Sequence, residues 1–408
     1  MIKKLFYIFW FALIFPLCLS AQFFYTPSLL VPYVEGAPQI GSSSAVLIDA
    51  ETGTLLYSKN PDEEIPPASL VKLMTLHLVM NEIEAGRASY DEIIPVTVES
   101  WAQSQPPRSS LMFLAPGQIV TLREIMLGLA IPSGNDAAVA AALRLAPSMR
   151  DFAGLMNAEA RRMGLSVTRF VEASGYSEEN MTTAEEYAYF CRQYVKQHPY
   201  SLRDFHSVPA FSYPTADNVA ERYRNNPRTI TQDNRNNLLK TFPGVDGLKT
   251  GYIDEAGYNI AVTAQRDDTR FIAVIMGAPA EPAGMRIRDN DASRLLSWAF
   301  ENFKTVRTGD VHAERARLWK GRENEARLVL AEPADFTAPL DRANALKFET
   351  VIPNRLIAPL PAGFPAGYLV ISDERGELNR VPVVTAYSYE KGNIFKRLWH
   401  SILLLFKR

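Results

Sequence analysis

The sequence predicts an α+β domain, with an antiparallel sheet, packed helices and a helical subdomain, followed by a small all-β sandwich and a C-terminal amphipathic helix. Strand-like runs stand at both ends of residues 43–306, and helical patterns fill the interval between them. After residue 308, short β-type runs alternate with Pro- and Gly-rich turns. Near the C-terminus, apolar and basic side chains separate onto different sides of a helix.

Length and composition agree with this division. A chain of 408 residues suits two or three domains, and 47% apolar residues are sufficient for well-formed cores. The net charge of −2, with acids and bases interspersed, predicts no nucleic-acid partner. We expect a signal peptide at 1–21, a first domain at 22–307, a β-sandwich at 308–388 and an anchor helix at 389–408.

The N-terminus has the pattern of a secretory signal peptide. Lys3 and Lys4 precede a nearly continuous apolar run at 5–19, and small residues follow at 20 and 21. An uncleaved membrane anchor is the alternative, because the run is close to the length of a membrane span. Cleavage would remove Cys18 and leave Cys191, which we expect to be a buried structural thiol.

Hydrophobic periodicity and turn residues predict the elements in order. The predicted helices start at 68 after two prolines, cover 121–165 with a break at 132–135, and lie at 183–194 and 291–306. The predicted strands lie at 45–50, 54–58, 258–264, 270–278, 326–331, 346–353, 367–372 and 380–387. His77, on the first helix, is expected to be a packed histidine, because no second His or Cys stands at metal-ligand spacing.

The C-terminal segment predicts an amphipathic helix. Lys396, Arg397, His400 and Lys407 lie off its apolar face, and no acidic residue follows Glu390. A basic helix with an aromatic face is typical of a membrane-surface anchor, and this one is too short to span. Docking on the protein itself is the alternative. The apolar face consists of Phe395, Leu398, Trp399, Ile402, Leu405 and Phe406.

Three motifs carry the chemistry: residues 69–72 (Ser-Leu-Val-Lys), 133–135 (Ser-Gly-Asn) and 249–251 (Lys-Thr-Gly). A serine hydroxyl needs a base, and an ordinary lysine is protonated at neutral pH. Ser69 and Lys72 share a helix face, and burial with a second cation, Lys249, would lower the pKa of Lys72. Ser69 alone would be read as a helix N-cap, but the three motifs in this order indicate acyl transfer.

With these motifs, the chain resembles the low-molecular-mass penicillin-binding proteins, specifically the D-alanyl-D-alanine carboxypeptidases. The likeness covers residues 43 to about 306 and includes 67–75, 110–117, 132–137, 245–251 and 256–259. It implies the transpeptidase fold shared by penicillin-binding proteins and β-lactamases. It also implies an exported enzyme at the outer, periplasmic face of the cytoplasmic membrane.

The resemblance implies a role for each motif residue. Ser69 would attack the carbonyl between two D-alanines of a peptidoglycan stem peptide, and β-lactams would acylate the same atom. Lys72 would accept the proton, Ser133 would relay it to the leaving D-alanine, and Asn135 would hold Lys72 and the substrate amide. No cofactor or metal would be needed.

The strand after the third motif would hold the peptide. Lys249 and Thr250 would bind the terminal carboxylate, and residues 250–252, with Gly251 at their centre, would accept the peptide as an added strand. Backbone N–H groups of Ser69 and Tyr252 would form the oxyanion hole. Arg235 resembles a family arginine that supports this strand.

One departure and three rival functions remain. Where the family often has His-Gly-Leu, residues 174–176 are Ser-Gly-Tyr, so the contribution of this loop to substrate preference is open. A DD-endopeptidase could use the same residues. A class A β-lactamase would need a glutamate to activate water, and Glu172 is expected to be a loop carboxylate instead. A non-catalytic wall-binding protein would not need intact Ser69, Lys72 and Ser133.

Overall fold

The computed structural model describes residues 36–307, 315–331, 335–343, 345–352 and 355–406. The predicted signal peptide at 1–21, with Cys18, lies outside these residues. The helices are α1 (Val71–Glu84), α2 (Leu122–Ala130), α3 (Asn135–Leu145), α4 (Met149–Arg162), α5 (Ala184–Gln197), α6 (Leu238–Thr241), α7 (Gly284–Asn302), α8 (Leu340–Ala343) and α9 (Ile394–Phe406). The strands are β1 (Ser44–Asp49), β2 (Leu55–Lys59), β3 (Ile93–Ile94), β4 (Val120–Thr121), β5 (Ala210–Tyr213), β6 (Ile230–Asp233), β7 (Val245–Ile253), β8 (Gly257–Arg266), β9 (Thr269–Ala278), β10 (Phe303–Val306), β11 (Arg315–Trp319), β12 (Glu325–Leu330), β13 (Phe336–Pro339), β14 (Lys347–Val351), β15 (Leu356–Ile357), β16 (Pro365–Asp373) and β17 (Gly376–Thr385).

An antiparallel five-stranded sheet in the order β2-β1-β9-β8-β7 forms the centre of the first domain. Successive side chains of a strand point to opposite faces, and β1 is buried on both. Val46 and Ile48 belong to the core shared with α1 to α5. Ala45 and Leu47 belong to the core shared with α7. The sheet is therefore covered on both faces, and β7 forms one of its edges.

The helical region follows the predicted pattern with one more break. The break at residues 132–135 separates α2 from α3, and a second break at Pro147 separates α3 from α4. Ala146, before this proline, is extended, as steric contact with a proline ring favours. Cys191, on α5, is buried as expected. Two breaks give three helices, which surround the α1 helix that carries Lys72.

Two sequence-based predictions about the elements are wrong. The helix predicted at 291–306 ends at Asn302, and residues Phe303–Val306 form strand β10, paired with β13. Phe303 and Thr305 alternate as buried positions, which fits a strand and not a continuing helix. The stretch between the helix predicted at 183–194 and Lys249, in which no strand is predicted, contains the hairpin β5–β6.

The C-terminal strands form an all-β domain. Six of them hydrogen-bond in the order β14-β16-β17-β12-β11-β15 around one apolar cluster. Asp49 of the first domain contacts this domain, because Asp49 Oδ2 accepts a hydrogen bond from Thr337 Oγ1 at 2.9 Å, beside one from Thr305 Oγ1 of β10 at 2.7 Å.

Helix α9 lies against the β-domain through its polar side. His400 Nδ1 accepts a hydrogen bond from the backbone N–H of Lys320 at 2.8 Å, and Lys396 Nζ donates to the carbonyl of Arg322 at 2.8 Å. The apolar side faces outward, with Leu405 80% exposed and Phe406 82% exposed. None of the helices in the described part of the chain has the length and apolar character needed to cross a bilayer.

Candidate active site

Ser69 lies in a tight turn at the start of the first helix. Residues Ala68–Leu70 form a 3-10 turn, and α1 begins at Val71, one turn later than the sequence suggests. Two glycines let neighbouring chain segments approach this turn. A Cβ on Gly251 would lie 2.8 Å from the Pro67 carbonyl oxygen, and one on Gly175 would lie 1.8 Å from that of Ala68. Strand β7 and the loop at 172–180 therefore close around Ser69.

Lys72 is completely buried, and its ammonium group connects three segments. Its Nζ lies 3.1 Å from Ser69 Oγ and 2.8 Å from Asn135 Oδ1. A third hydrogen bond, of 2.5 Å, goes to the carbonyl oxygen of Ser174. The first contact is the one that the shared helix face predicts, and the second is the one that the family resemblance implies. The carbonyl of Ser174 was not predicted, because a backbone acceptor leaves no mark in the residue type.

The pKa of Lys72 suits a base at neutral pH. Burial lowers it to about 7, and the carboxylates of Glu172 and Asp136 act in the opposite direction. The order of the motifs predicts that Lys249 contributes to this lowering, but it does not. Instead, charge repulsion affects the pKa of Lys249. Burial, and then the positive charges of Lys72, Arg235 and Arg288, hold that pKa well below its ordinary value.

The second motif forms the loop between α2 and α3. Ser133 has a φ of 66°, and its buried hydroxyl has no hydrogen-bond partner among the described residues. Asn135 begins α3, and its Nδ2 donates to Ser109 Oγ at 3.0 Å. Because the Asn135 amide accepts a hydrogen bond from Lys72 and donates one to Ser109, it connects the two sides of the cleft.

Asp136, which the sequence analysis did not single out, holds this region together. Its fully buried carboxylate accepts hydrogen bonds of 2.8 to 2.9 Å from the backbone N–H groups of Met112, Phe113 and Leu114. Burial raises its pKa, and the backbone hydrogen bonds oppose that shift. The loop at 110–114 is thus tied to the helix that begins with Asn135. An acid directly after Ser-Gly-Asn was the available signal.

The third motif lies on the sheet edge. Lys249 and Thr250 are buried, and Lys249 Nζ donates to the carbonyl of Thr250 at 3.1 Å. Asn236 Nδ2 donates to the carbonyl of Gly247 at 3.1 Å, so the strand is supported from the 235 loop. Arg235 itself has an exposed side chain, and its positive charge contributes to lowering the pKa of Lys249.

The 172–180 loop is organised by Glu172. Its carboxylate accepts from the backbone N–H groups of Ser174 at 2.6 Å and Gly175 at 2.7 Å, from the Ser174 hydroxyl at 2.6 Å and from Asn180 Nδ2 at 2.7 Å. These four donors agree with its prediction as a loop carboxylate. By fixing the loop, Glu172 also fixes the Ser174 carbonyl that Lys72 contacts.

A cleft of about 420 Å³ opens over these residues. Ser69, Asn135 and Tyr252 line it, whereas Lys72, Ser133 and Lys249 are buried. The motifs do not predict the remaining lining residues, which come from three loops. These are Pro107, Arg108, Ser109, Ser110, Gly175, Tyr176, Ser177, Glu178, Ile253, Asp254 and Glu255.

Metal-ligating residue types do not cluster in the described ranges. Within these ranges, no three or more His, Cys, Asp and Glu side chains are grouped to hold a metal ion. His77 is fully buried, as expected of a packed histidine, and its ring nitrogens lie 2.9 Å from His198 Nε2 and 2.7 Å from Glu159 Oε1.

Comparison with known proteins agrees with this geometry. Residues 32–280 match the family of D-alanyl-D-alanine carboxypeptidases, and residues 300–391 match the C-terminal domain of penicillin-binding protein 5. The chain belongs to the D-alanyl-D-alanine carboxypeptidase family. The predictions of this family, of a fold of helices and sheet with a C-terminal β-domain, and of a serine carboxypeptidase are therefore confirmed.

Relatives within the family cover most of the chain. The D-alanyl-D-alanine carboxypeptidase DacC of Escherichia coli is 31% identical over 91% of this chain and 90% of the relative. The crystal structure of penicillin-binding protein 5 from Haemophilus influenzae superposes with a TM-score of 0.76 at 27% identity, over 87% of this chain and 99% of that one. A D-alanyl-D-alanine endopeptidase of Pseudomonas aeruginosa is 29% identical over 70% of this chain and 85% of the relative.

Proposed function

We propose that Ser69 is the nucleophile of this carboxypeptidase and that Lys72, in its neutral form, is the general base. The observation that carries the proposal is the buried Lys72 Nζ, 3.1 Å from Ser69 Oγ, at the floor of a cleft beside a sheet edge. The substrate is a peptidoglycan stem peptide that ends in D-Ala-D-Ala, and penicillins acylate the same hydroxyl.

The peptide binds along β7. This strand pairs with β8 on one side and with no other strand among the described residues, so an extended peptide can add to its free edge. The terminal carboxylate goes to Lys249, where Arg235 and Arg288 add positive charge. Thr250 and Gly251 lie beside this carboxylate and the peptide backbone. Burial is the larger cause of the low pKa of Lys249, and an arriving anion favours the protonated form of this lysine.

Acylation then proceeds by proton transfer to Lys72. Ser69 Oγ forms a bond to the carbonyl carbon between the two D-alanines while its proton moves to Lys72 Nζ. Backbone N–H groups of Ser69 and Tyr252 stabilise the oxyanion. The proton passes through the Ser133 hydroxyl to the leaving amine as the C–N bond breaks, and Asn135 keeps Lys72 in place. Water later attacks the ester and releases the shortened peptide.

The carboxypeptidase reaction is tested by the products formed from purified stem peptides. With a monomeric pentapeptide, we expect a product lighter by one alanine residue, because its terminal carboxylate can bind at Lys249. With a cross-linked dimer, we expect no splitting. Mass spectrometry of the products decides this. Splitting of the dimer without loss of alanine from the monomer would favour the endopeptidase, the activity named for the Pseudomonas aeruginosa relative.

A β-lactamase function has less support. A carboxylate that activates the deacylating water must be free to accept that water, and Glu172 already accepts four hydrogen bonds from its own loop. The penicilloyl ester on Ser69 is therefore expected to be long-lived. Rapid steady-state hydrolysis of penicillin would reverse this conclusion.

We also propose that the exported enzyme is held at the outer face of the cytoplasmic membrane by α9. The polar side of the helix contacts the β-domain through His400 and Lys396, so its apolar side is left for lipid. Phe395 is 79% exposed on that side, which is unusual for an aromatic residue unless a surface covers it.

Substituting Leu398→Glu together with Leu405→Glu is expected to abolish binding to anionic lipid vesicles, because both side chains are exposed and lie on the apolar side. Ile93→Glu with Val98→Glu is the matched control, since these exposed apolar residues lie outside α9. Sedimentation with vesicles measures the bound fraction for chains lacking residues 1–21. Unchanged sedimentation of the α9 variant would refute the anchor.

A further inference from the structure

The direction of the bound peptide places its third residue from the end at a defined part of the cleft. In the proposed complex, Lys249 holds the terminal carboxylate and the Tyr252 N–H faces the carbonyl that is attacked. The rest of the peptide must then continue along the strand past Tyr252. With about 3.3 Å per residue, the residue that precedes the D-alanine pair lies beside Ile253 and Asp254.

An ion pair closes the cleft at this point. Arg108 donates two hydrogen bonds of 2.9 Å to the carboxylate of Asp254, one from each terminal nitrogen. Tyr252 OH donates to the same carboxylate at 2.7 Å. The hydrogen bond from Arg108 and then that from Tyr252 lower the pKa of Asp254 to about 2, so the pair is charged at neutral pH. The pair joins the 106–109 turn to the end of β7.

Arg108 occupies a backbone position that disfavours a long side chain. The turn is closed by a hydrogen bond of 3.2 Å from the Ser109 N–H to the Pro106 carbonyl, and Arg108 has a φ of 67°. This place in a turn normally takes Gly or Asn, because positive φ is strained for other residues. An arginine at this strained position, on the lining of the cleft, indicates a use for its charge.

The pair is easily opened by a ligand. Its side chains are 74% and 52% exposed, and exposed ion pairs are weakly held. A carboxylate of the ligand can take the place of Asp254 and accept the same two hydrogen bonds from the planar guanidinium of Arg108. An ammonium group can replace Arg108 on Asp254, and the carboxylates of Glu178 and Glu255, which also line the cleft, favour that charge.

We infer that Arg108 and Asp254 form a specificity subsite for a zwitterionic side-chain end, an ammonium and a carboxylate on one carbon, on the residue before the D-alanine pair. This inference rests on the proposed function. The matching substrate carries a diaminopimelate-type residue. A lysine residue offers the ammonium alone and leaves Arg108 without a partner in the complex.

Two acylated tripeptides test this subsite. Both end in D-Ala-D-Ala, and their first residue is either meso-diaminopimelate or L-lysine, which differ by the distal carboxylate alone. For the full chain, kcat/KM is expected to be about tenfold higher for the diaminopimelate peptide, the usual effect of one charge-assisted contact. Arg108→Gln should remove this preference, so that the ratio of the two kcat/KM values falls to about one.

Two further variants complete the design. Asp254→Asn should lower kcat/KM for both peptides, because both carry the ammonium. Arg87→Gln removes a comparable exposed ion pair, with Glu82 at 2.6 Å, and should leave the ratio unchanged. A wild-type ratio near one, or an unchanged ratio in the Arg108→Gln variant, would overturn the inference while D-alanine release continues. Release from neither peptide by the wild type would instead overturn the proposed function and this inference with it.

Discussion

The Ser69→Ala variant is expected to lose D-alanine release by at least about 10⁴-fold and all covalent labelling by penicillin. The Ser69 hydroxyl oxygen, 3.1 Å from Lys72 Nζ, is the atom that becomes acylated, so its removal prevents formation of the acyl-enzyme. Because Ser69 is only partly buried and Ala fits its turn, the fold should persist. Product release is measured by mass spectrometry, and labelling with a fluorescent penicillin.

Thermal unfolding separates loss of chemistry from loss of fold in this variant. A Ser69→Ala protein with the wild-type melting temperature and no activity supports the assignment. A folded Ser69→Ala protein that still releases D-alanine at a wild-type rate would remove Ser69 from the mechanism.

The Lys72→Ala variant is expected to slow acylation by about 10³-fold, because a positioned base contributes about 10² to 10⁴. The pKa of about 7 adds a pH dependence. Below that pH, Lys72 holds its proton and cannot accept another, so kcat/KM should fall about tenfold per pH unit. Above it, the amine is neutral and the rate should level off. The pH profile of the wild-type enzyme and the rate of penicillin labelling measure both effects.

Lys59→Ala is the matched control for Lys72→Ala. Lys59 Nζ also donates to backbone carbonyls, those of Ile40 and Ser42, but it lies outside the cleft lining. The Lys59→Ala variant should therefore have a lower free energy of unfolding, but the same acylation rate and pH profile as the wild type. Acylation of folded Lys72→Ala at the rate of the control would show that another group accepts the proton.

The motifs predicted the central contacts of the site because those contacts join side chains. Ser69 and Lys72 are three residues apart, so the helix alone brings them together. The approach of Asn135 to Lys72 came from the family resemblance, and the structure shows it at 2.8 Å. The strands of the sheet were found for a similar reason, since their apolar runs are long and bounded by turn residues.

What the sequence did not predict depends on backbone groups and on tertiary packing. The Ser174 carbonyl that contacts Lys72 carries no residue signature. Burial lowers the pKa of Lys72 as expected, but the expected contribution of Lys249 is replaced by the opposing charges of Glu172 and Asp136, whose positions depend on the folded chain. Strand β10 was read as helix because Phe303–Val306 follows a periodic helix directly, and its partner β13 lies far along the sequence.

The rim of the cleft was missed for a different reason. Arg108 and Asp254 are far apart in sequence and look like ordinary surface charges, so nothing in their spacing predicts that they meet. Arg108 has a φ of 67° in its turn, a backbone conformation that an arginine in the sequence does not predict. Substrate specificity at the rim therefore depends on contacts that exist only in the folded chain, whereas three sequence motifs are enough to indicate the reaction class.

The most direct test of the central claim is to locate the acyl group on the protein. Wild-type protein treated with penicillin should gain the mass of one penicilloyl group, and after proteolysis that mass should lie on the peptide that contains Ser69. The same mass should be absent from Ser69→Ala. An adduct on any other residue, or an adduct that persists in folded Ser69→Ala, would contradict the account.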